Sequence, residues 1–490
     1  MSQQQQVDGK QVAEHNSREK EHPGGADIIL KYAGKDATEE YDPIHPPDAI
    51  KDNLDPSKHL GPLIPSTLPV EKPTPASAPP PTSVPVGQTT NGVSATEEFV
   101  KPSLAEILSL HDFEAVARRT MSKRGWNYYS SGADDEITMW EINGDQCQSN
   151  SLDVNGFVVS GFVHTSMPVY ITATALGKLG HPEGEICLTK AAGEHNIIQM
   201  DKIPTLASCG FDEMVDAAIP GQVQFLQLYV NADRERTKKI IRHAAERGIK
   251  ALFITVDAPQ LGRREKDMRT KFEGAASAQQ TKGGDKYQRD QGAARAISSF
   301  IDPSLNWSDL KELVDAARGL KVILKGVQCW EDAVMAAEAG VDGVVLSNHG
   351  GRQLDFAPSP LALLPSVVQH LTAHGFMNNP LRPRFEIFVD GGVRRATDVL
   401  KAVALGATAV GIGRPMIYAM STYGKEGVSH ALQILKDEFE MNMRLLGAPT
   451  MADVVPSMVD TSGLFGPQGS VTMYEENYER MLPVGVKAKL

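Results

Sequence analysis

The chain has 490 residues, 41% of them hydrophobic, 22% charged and only 6% aromatic, with 49 Lys+Arg against 61 Asp+Glu for a net charge of −12. At about 150 residues per domain this length allows two or three domains, although an α/β barrel can use over 250 alone. The acidic balance argues against nucleic acid or an anionic membrane surface as the main partner, and no run approaches the roughly 18 uninterrupted apolar residues of a membrane span.

The opening residues, MSQQQQVDGK, have neither an apolar h-region nor an Arg-rich amphipathic pattern, so no signal or transit peptide is legible. Residues 1–70 are polar and short of apolar runs, and they contain HPGG at 22–25 and HPPD further on, with His45 twenty-three residues after His22. Residues 71–100 are rich in Pro, Ser and Thr, a composition that favours a solvated tether over a packed element. From 101 to 465 the chain reads as globular, and 466–490 form a tail. The four cysteines, Cys147, Cys187, Cys209 and Cys329, have no CxxC spacing. That excludes a disulfide scaffold and a thiolate zinc site, and suits a reducing compartment.

Within 101–465, eight strand-like runs are expected at 168–173, 197–200, 223–229, 251–256, 322–325, 343–347, 386–390 and 408–412. Amphipathic stretches such as 233–247 and 331–339 lie between them. Eight strands interleaved with helices predict a (β/α)8 barrel rather than an open doubly wound sheet. The polar, Gly/Gln-rich stretch 262–300 reads as a mobile loop over the active face.

In such a barrel the chemistry sits where strands end. The third run ends in Gln227 and Tyr229, the fourth in Asp257, the fifth in Lys325, and the sixth in SNHGGRQLD with Ser347, His349 and Arg352. The last two end in DGGVRR and GIGRP, where glycines let backbone N–H groups approach an oxyanion and Arg394 and Arg414 supply charged donors. Two such pieces on adjacent late strands predict a phosphate site. His349 with Asp257 reads as a general base whose charged form a carboxylate stabilises, although a lone strand histidine more often packs in a core. Arg352 offers a planar fork for a small carboxylate. Lys325 could be a Schiff-base nucleophile, a charge stabiliser or a surface lysine, and position does not choose among them.

The segments YYSSGADDE, ATALGKLGHPEGE, TLASC, QLYV, TVDAPQLGRREKDMR, ILKGV, SNHGGRQLD, DGGVRRATDV and GIGRP resemble the FMN-dependent L-2-hydroxy acid dehydrogenase/oxidase family over about 101–465, and most of all its cytochrome-linked, lactate-using members. The resemblance implies FMN as cofactor, a small 2-hydroxy acid as substrate, cytochrome c or oxygen as acceptor, and a homotetramer. It makes His349 the base supported by Asp257, gives the substrate carboxylate to Arg352 and Tyr128, the hydroxyl to Tyr229, and an assisting role to Arg264. Lys325 would face the flavin and stabilise its reduced, anionic form. Ala173, Thr174, Ala175, Gln227, Thr255 and Ser347 would line the flavin, and Asp390, Gly391, Gly392, Val393, Arg394, Gly413 and Arg414 would hold its phosphate. Leu206 stands where the family varies the wall that sets side-chain length, and with the small Ala175 it resembles the lactate-using members, though such a pocket discriminates one methylene by only about 1–3 kcal/mol. One departure lies nearby: MDKIPTLASC carries two extra residues, and Pro204 replaces a frequent flavin-contacting Ser.

The front segment resembles a cytochrome b5-like module with His22 and His45 as axial haem ligands. An apolar stretch of roughly twenty residues that the module has before HPGG is missing here, where AEHNSREK runs into EHPGG. A fragment this small is marginal even with its core intact, so weak or absent haem b binding is expected. The terminal AKL is a variant of the SKL peroxisomal address, so the peroxisome or the cytoplasm is expected ahead of the mitochondrial intermembrane space. The main alternative to a cytochrome-linked dehydrogenase is a peroxisomal oxidase that passes electrons to oxygen and makes hydrogen peroxide. Ala173, where the oxidases often have Pro, favours the dehydrogenase. A catalytically silent haem- or FMN-binding module, or an isomerase without flavin, would leave the His349/Asp257/Arg352/Lys325/Tyr229 set unexplained.

Overall fold

The computed structural model describes residues 99–136, 138, 157–159, 163–202, 207–269, 301–377 and 383–461. His22, His45, Pro204 and Leu206 lie outside them. Two helices, α1 (Leu110–Thr120) and α2 (Lys123–Ser130), precede a short antiparallel hairpin, β1 (Phe157–Val159) and β2 (Val163–Thr165). The barrel then begins with β3 (Val169–Ile171), α3 (Glu185–Glu194), β4 (Ile198–Lys202), α4 (Phe211–Asp216), β5 (Gln224–Tyr229), α5 (Arg234–Glu246) and β6 (Ala251–Thr255). It continues through α6 (Trp307–Ala316), β7 (Lys321–Val327), α7 (Trp330–Glu338), β8 (Gly343–Leu346), α8 (Pro360–Ala373), β9 (Glu386–Asp390), α9 (Ala396–Ala404), β10 (Ala409–Ile412) and α10 (Arg414–Leu446).

Strands β3 to β10 pair in parallel in chain order, and β10 closes back on β3. All eight expected strands are present with ends displaced by no more than a few residues, and the β1–β2 hairpin is an addition to them. The stretch expected to be a mobile loop begins differently: 265–269 are helical, and 270–300 lie outside the described residues.

Parallel strands covered on both faces read as continuous apolar runs, and period-2 alternation decides what faces inward. Tyr170, Ile198, Met200, Phe225, Phe253, Ile323, Val345, Phe388 and Ala409 form one packed layer inside the barrel. The rings of Phe225 and Phe253 stack with centroids 5.3 Å apart, and Phe388 meets Phe253 edge-on at 5.5 Å. Their neighbours, such as Leu226, Leu252, Ile254, Leu324, Val344 and Val389, belong instead to the core between strands and helices. On seven of the eight strands the next inward position, two residues past the packed layer, faces the functional end of the barrel: Thr172, Gln227, Thr255, Lys325, Ser347, Asp390 and Gly411. Hydrophobic packing below thereby fixes the polar ring above it.

The helices follow the same economy. In α5 the buried Thr237, Ile241 and Ala244 recur at helical spacing, Asp233 caps the N-terminus by accepting from Glu235 and Arg236 N–H, and Gly248 at φ +86° lets the chain turn towards β6. Helix α10 is interrupted at Tyr423–Gly424 and packs against α1 and α3. Among the described residues no helix is long and apolar enough to cross a membrane.

Candidate active site

The strand ends surround one cleft with about 1050 Å³ of empty space, counted out through its open mouth. It is lined by Tyr128, Tyr229, Arg264, His349 and Arg352 together with Ala173, Thr174, Ala175, Gln227, Thr255, Lys325, Asp390–Arg394, Gly413 and Arg414. Thus residues expected from separate strand ends converge.

His349 sits at φ +59°, a left-handed conformation that costs a residue with a Cβ about 1–2 kcal/mol. Two contacts hold it there. Its backbone N–H donates to Ser347 Oγ at 3.0 Å, and Nδ1 lies 3.1 Å from both carboxylate oxygens of Asp257. The other ring nitrogen, Nε2, faces Tyr229 Oη at 3.4 Å. Burial, with the positive charges of Lys325 and Arg264, brings the His349 pKa down to about 4 despite the pull of Asp257. Burial would raise the Asp257 carboxyl, but His349 and Lys325 outweigh it and hold it below the ordinary carboxylate value. Burial, reinforced by Asp257, pushes Tyr229 well up, so it keeps its proton.

Lys325 is buried, with Nζ 3.1 Å from Asp390 Oδ2 and 3.0 Å from Ser347 Oγ. Burial alone would lower its pKa, but Asp390 and Asp257 more than compensate and it stays charged. Ser347 points inward by strand parity and is fully buried, and its hydroxyl accepts from Lys325 and His349 and donates to Asp390.

Two arginines share one cradle. Arg352 donates to the carbonyls of Tyr128, Tyr129 and Ser131 at 2.9, 3.1 and 2.8 Å, and Arg414 to those of Tyr129, Ser131 and Gly350 at 2.8, 2.9 and 2.8 Å. All of these acceptors except Gly350 cluster at the C-terminus of α2, the negative end of its dipole, which offsets the repulsion between the guanidinium groups. Each arginine spends three of its five N–H donors in this way, leaving two for a ligand. Burial, followed by Arg352, lowers Arg414 to about 9, and the same two causes lower Arg264 to about 10. Arg394 lies 3.6 Å from Glu114.

Three further features of the cleft fit a phosphate-tailed cofactor with a polar ring. Gln227 Oε1 is buried and lacks a partner among the described residues, an acceptor left for a ligand N–H. Gly391 and Gly392 adopt φ +108° and +79°, open to glycine alone without strain. A Cβ at Gly413, which caps the N-terminus of α10, would lie 2.8 Å from Thr172 Oγ1. Glycines, two arginines and a helix N-terminus make an anion site.

A closed parallel barrel whose strand ends carry a phosphate cradle beside a histidine–carboxylate pair defines an enzyme that holds a phosphorylated cofactor and moves a proton next to it. The chain belongs to the FMN-dependent dehydrogenase family, whose model matches residues 117–461. Residues 14–64 match the cytochrome b5-like heme/steroid binding domain. The chain is 48% identical over 473 residues to L-lactate dehydrogenase (cytochrome) of Wickerhamomyces anomalus, covering 94% of this chain and 78% of that one. It is 42% identical over 475 residues to the Saccharomyces cerevisiae protein of the same name, with the same coverage of 94% and 78%. Among solved structures, the recombinant flavin-binding domain of baker's yeast flavocytochrome b2 superposes with a TM-score of 0.65 at 42% identity, covering 79% of this chain and 95% of that one. The cofactor that this cradle fits is therefore FMN.

Gly326 is a site residue that sequence reading passed over. The pairing of β7 with β8 shifts register between Lys325 and Val327, and Gly326 sits in that irregularity at φ +107°. A Cβ there would lie 2.5 Å from Asp257 Cβ and Cγ. Gly326→Ala is accordingly expected to displace the Asp257 carboxylate from His349 and cut turnover by about 10²-fold. Turnover per bound FMN checks this, and a value within twofold of the parent would contradict it.

Proposed function

We propose that the protein oxidises L-lactate, or a similarly small L-2-hydroxy acid, to the 2-keto acid and passes the electrons to a cytochrome. The observation that carries this reading is the His349–Asp257 pair, with Nε2 turned into a cleft that also holds Arg352, Arg264 and Lys325. FMN, when bound, supplies the two-electron acceptor. Arg352 and Arg264, with Tyr128, hold the carboxylate through donors not spent on the main chain. Tyr229, which keeps its proton, orients the substrate hydroxyl. His349 Nε2 accepts the substrate proton, and Asp257 stabilises the imidazolium that forms. Lys325 keeps a buried positive charge against the cofactor wall. The cytochrome-linked relatives favour a cytochrome as acceptor, and the apolar stretch missing before HPGG supports a flavin centre that works with little or no bound haem.

The pH dependence follows from the base. His349 must be neutral to accept a proton, and burial brings its pKa to about 4. The kcat/KM profile should therefore stay flat as pH falls through 6.5, the ordinary histidine value, and decline only near 4. Asp257→Asn removes the pull that raises the pKa, so its acid limb should move lower still while kcat falls. An acid limb centred on 6.5 in the parent enzyme would contradict this assignment.

Steady-state turnover tests the reading. With L-lactate, reduction of cytochrome c should exceed oxygen uptake, and D-lactate should be inert. Faster oxygen uptake with hydrogen peroxide release would make the protein an oxidase, and inactivity towards every small L-2-hydroxy acid would overturn the proposal.

A further inference from the structure

Gln353 follows Arg352 directly, and its side-chain amide is spent entirely on the segment that leaves β6. Nε2 donates to the Asp257 carbonyl at 2.8 Å and to the Gln260 carbonyl at 3.0 Å. Oε1 accepts from Gly262 N–H at 3.0 Å and lies 3.5 Å from Arg264 Nη2. Residues 256–264 form neither helix nor strand, so these bonds substitute for regular structure. The segment also packs at the closest approach a backbone allows, since a Cβ on Gly262 would lie 2.4 Å from the Arg352 carbonyl and 2.6 Å from that of Gln353. Arg264 Nε completes the seam by donating to the Arg352 carbonyl at 3.4 Å.

We propose that Gln353 is a positioning residue for the reaction, a clasp that sets Asp257 and Arg264 on one strand-end loop against His349 and Arg352 on the other. The proposal rests on the reading of His349 and Asp257 as base and supporting carboxylate. A neutral primary amide suits the task because it donates two hydrogen bonds and accepts two from one rigid plane. An ionised carboxylate cannot donate, and a lysine cannot accept. The two halves of the amide address different functions. Its N–H groups anchor the backbone of the carboxylate that holds the base, and its oxygen anchors the turn that delivers Arg264 to the cleft.

The test compares Gln353→Met and Gln353→Glu with the parent holoenzyme. In Gln353→Met, kcat/KM for L-lactate should fall about 10²-fold per bound FMN, the cost of a displacement of about 1 Å. The loss should be divided between lower kcat, through Asp257, and higher KM, through Arg264. Hydrogen exchange at 258–264 should accelerate, oxalate should bind more weakly by flavin difference spectrum, and FMN content should not change. Gln353→Glu should recover part of its kcat as pH is lowered towards 5, where a protonated carboxyl regains a donor, opposite to any trend in the parent. Parent-like kcat and KM in both variants would overturn the proposal, as would faster exchange at 258–264 with unchanged kinetics. If the parent does not oxidise L-lactate, the proposed function falls, and the clasp is judged on oxalate alone, where unchanged affinity in Gln353→Met overturns it.

Discussion

A His349→Gln variant should lose about 10²- to 10⁴-fold in kcat while keeping its fold and its FMN, because positioned general-base catalysis is worth that much. The side chain has no packing role that Gln cannot fill, since its ring is held by Asp257 on one side and faces Tyr229 on the other. Tyr229 cannot take over, because burial and Asp257 push its pKa up and leave it protonated. Asp257 cannot either, since its carboxylate lies on the Nδ1 side of the ring, away from Nε2. Rapid mixing with L-lactate without oxygen would measure the loss. A decrease of less than tenfold would remove His349 from the mechanism.

Lys325→Met should be the most damaging change for stability. The pair Lys325–Asp390 is buried, and removing one partner strands the other, which costs about 3–5 kcal/mol. Urea unfolding at neutral pH measures it, and the deficit should shrink as pH falls and the stranded carboxylate takes up a proton. A double variant, Lys325→Met with Asp390→Asn, should recover most of the stability without recovering turnover. That split would separate the structural role of the pair from the charge it places on the cofactor wall. A single variant as stable as the parent would show that the pair does not operate as a buried unit.

The fold and most of the site were legible because both depend on short-range patterns. Each strand is a run of apolar residues that ends in a polar or glycine residue at the same parity, as in Phe225, Gln227 and Tyr229, or Ile323 and Lys325. The barrel rule then brings those ends together. What escaped was set by backbone and by contacts between distant segments. The carbonyls of Tyr129 and Ser131 that hold both arginines carry no side-chain signature. Gly326 is one glycine among 43 in the chain, and only its neighbour Asp257, brought close by the fold, gives it meaning. Gln353 looked like the tail of a motif whose earlier residues already had roles, until its four contacts across 89 to 96 residues of chain came into view.

The most direct measurement is the visible spectrum of the purified protein before and after anaerobic L-lactate. An FMN spectrum is expected that bleaches on addition of L-lactate and not of D-lactate, with the sharp bands of reduced haem weak or missing. A protein that carries FMN yet stays unbleached by L-lactate and by other small L-2-hydroxy acids would contradict it.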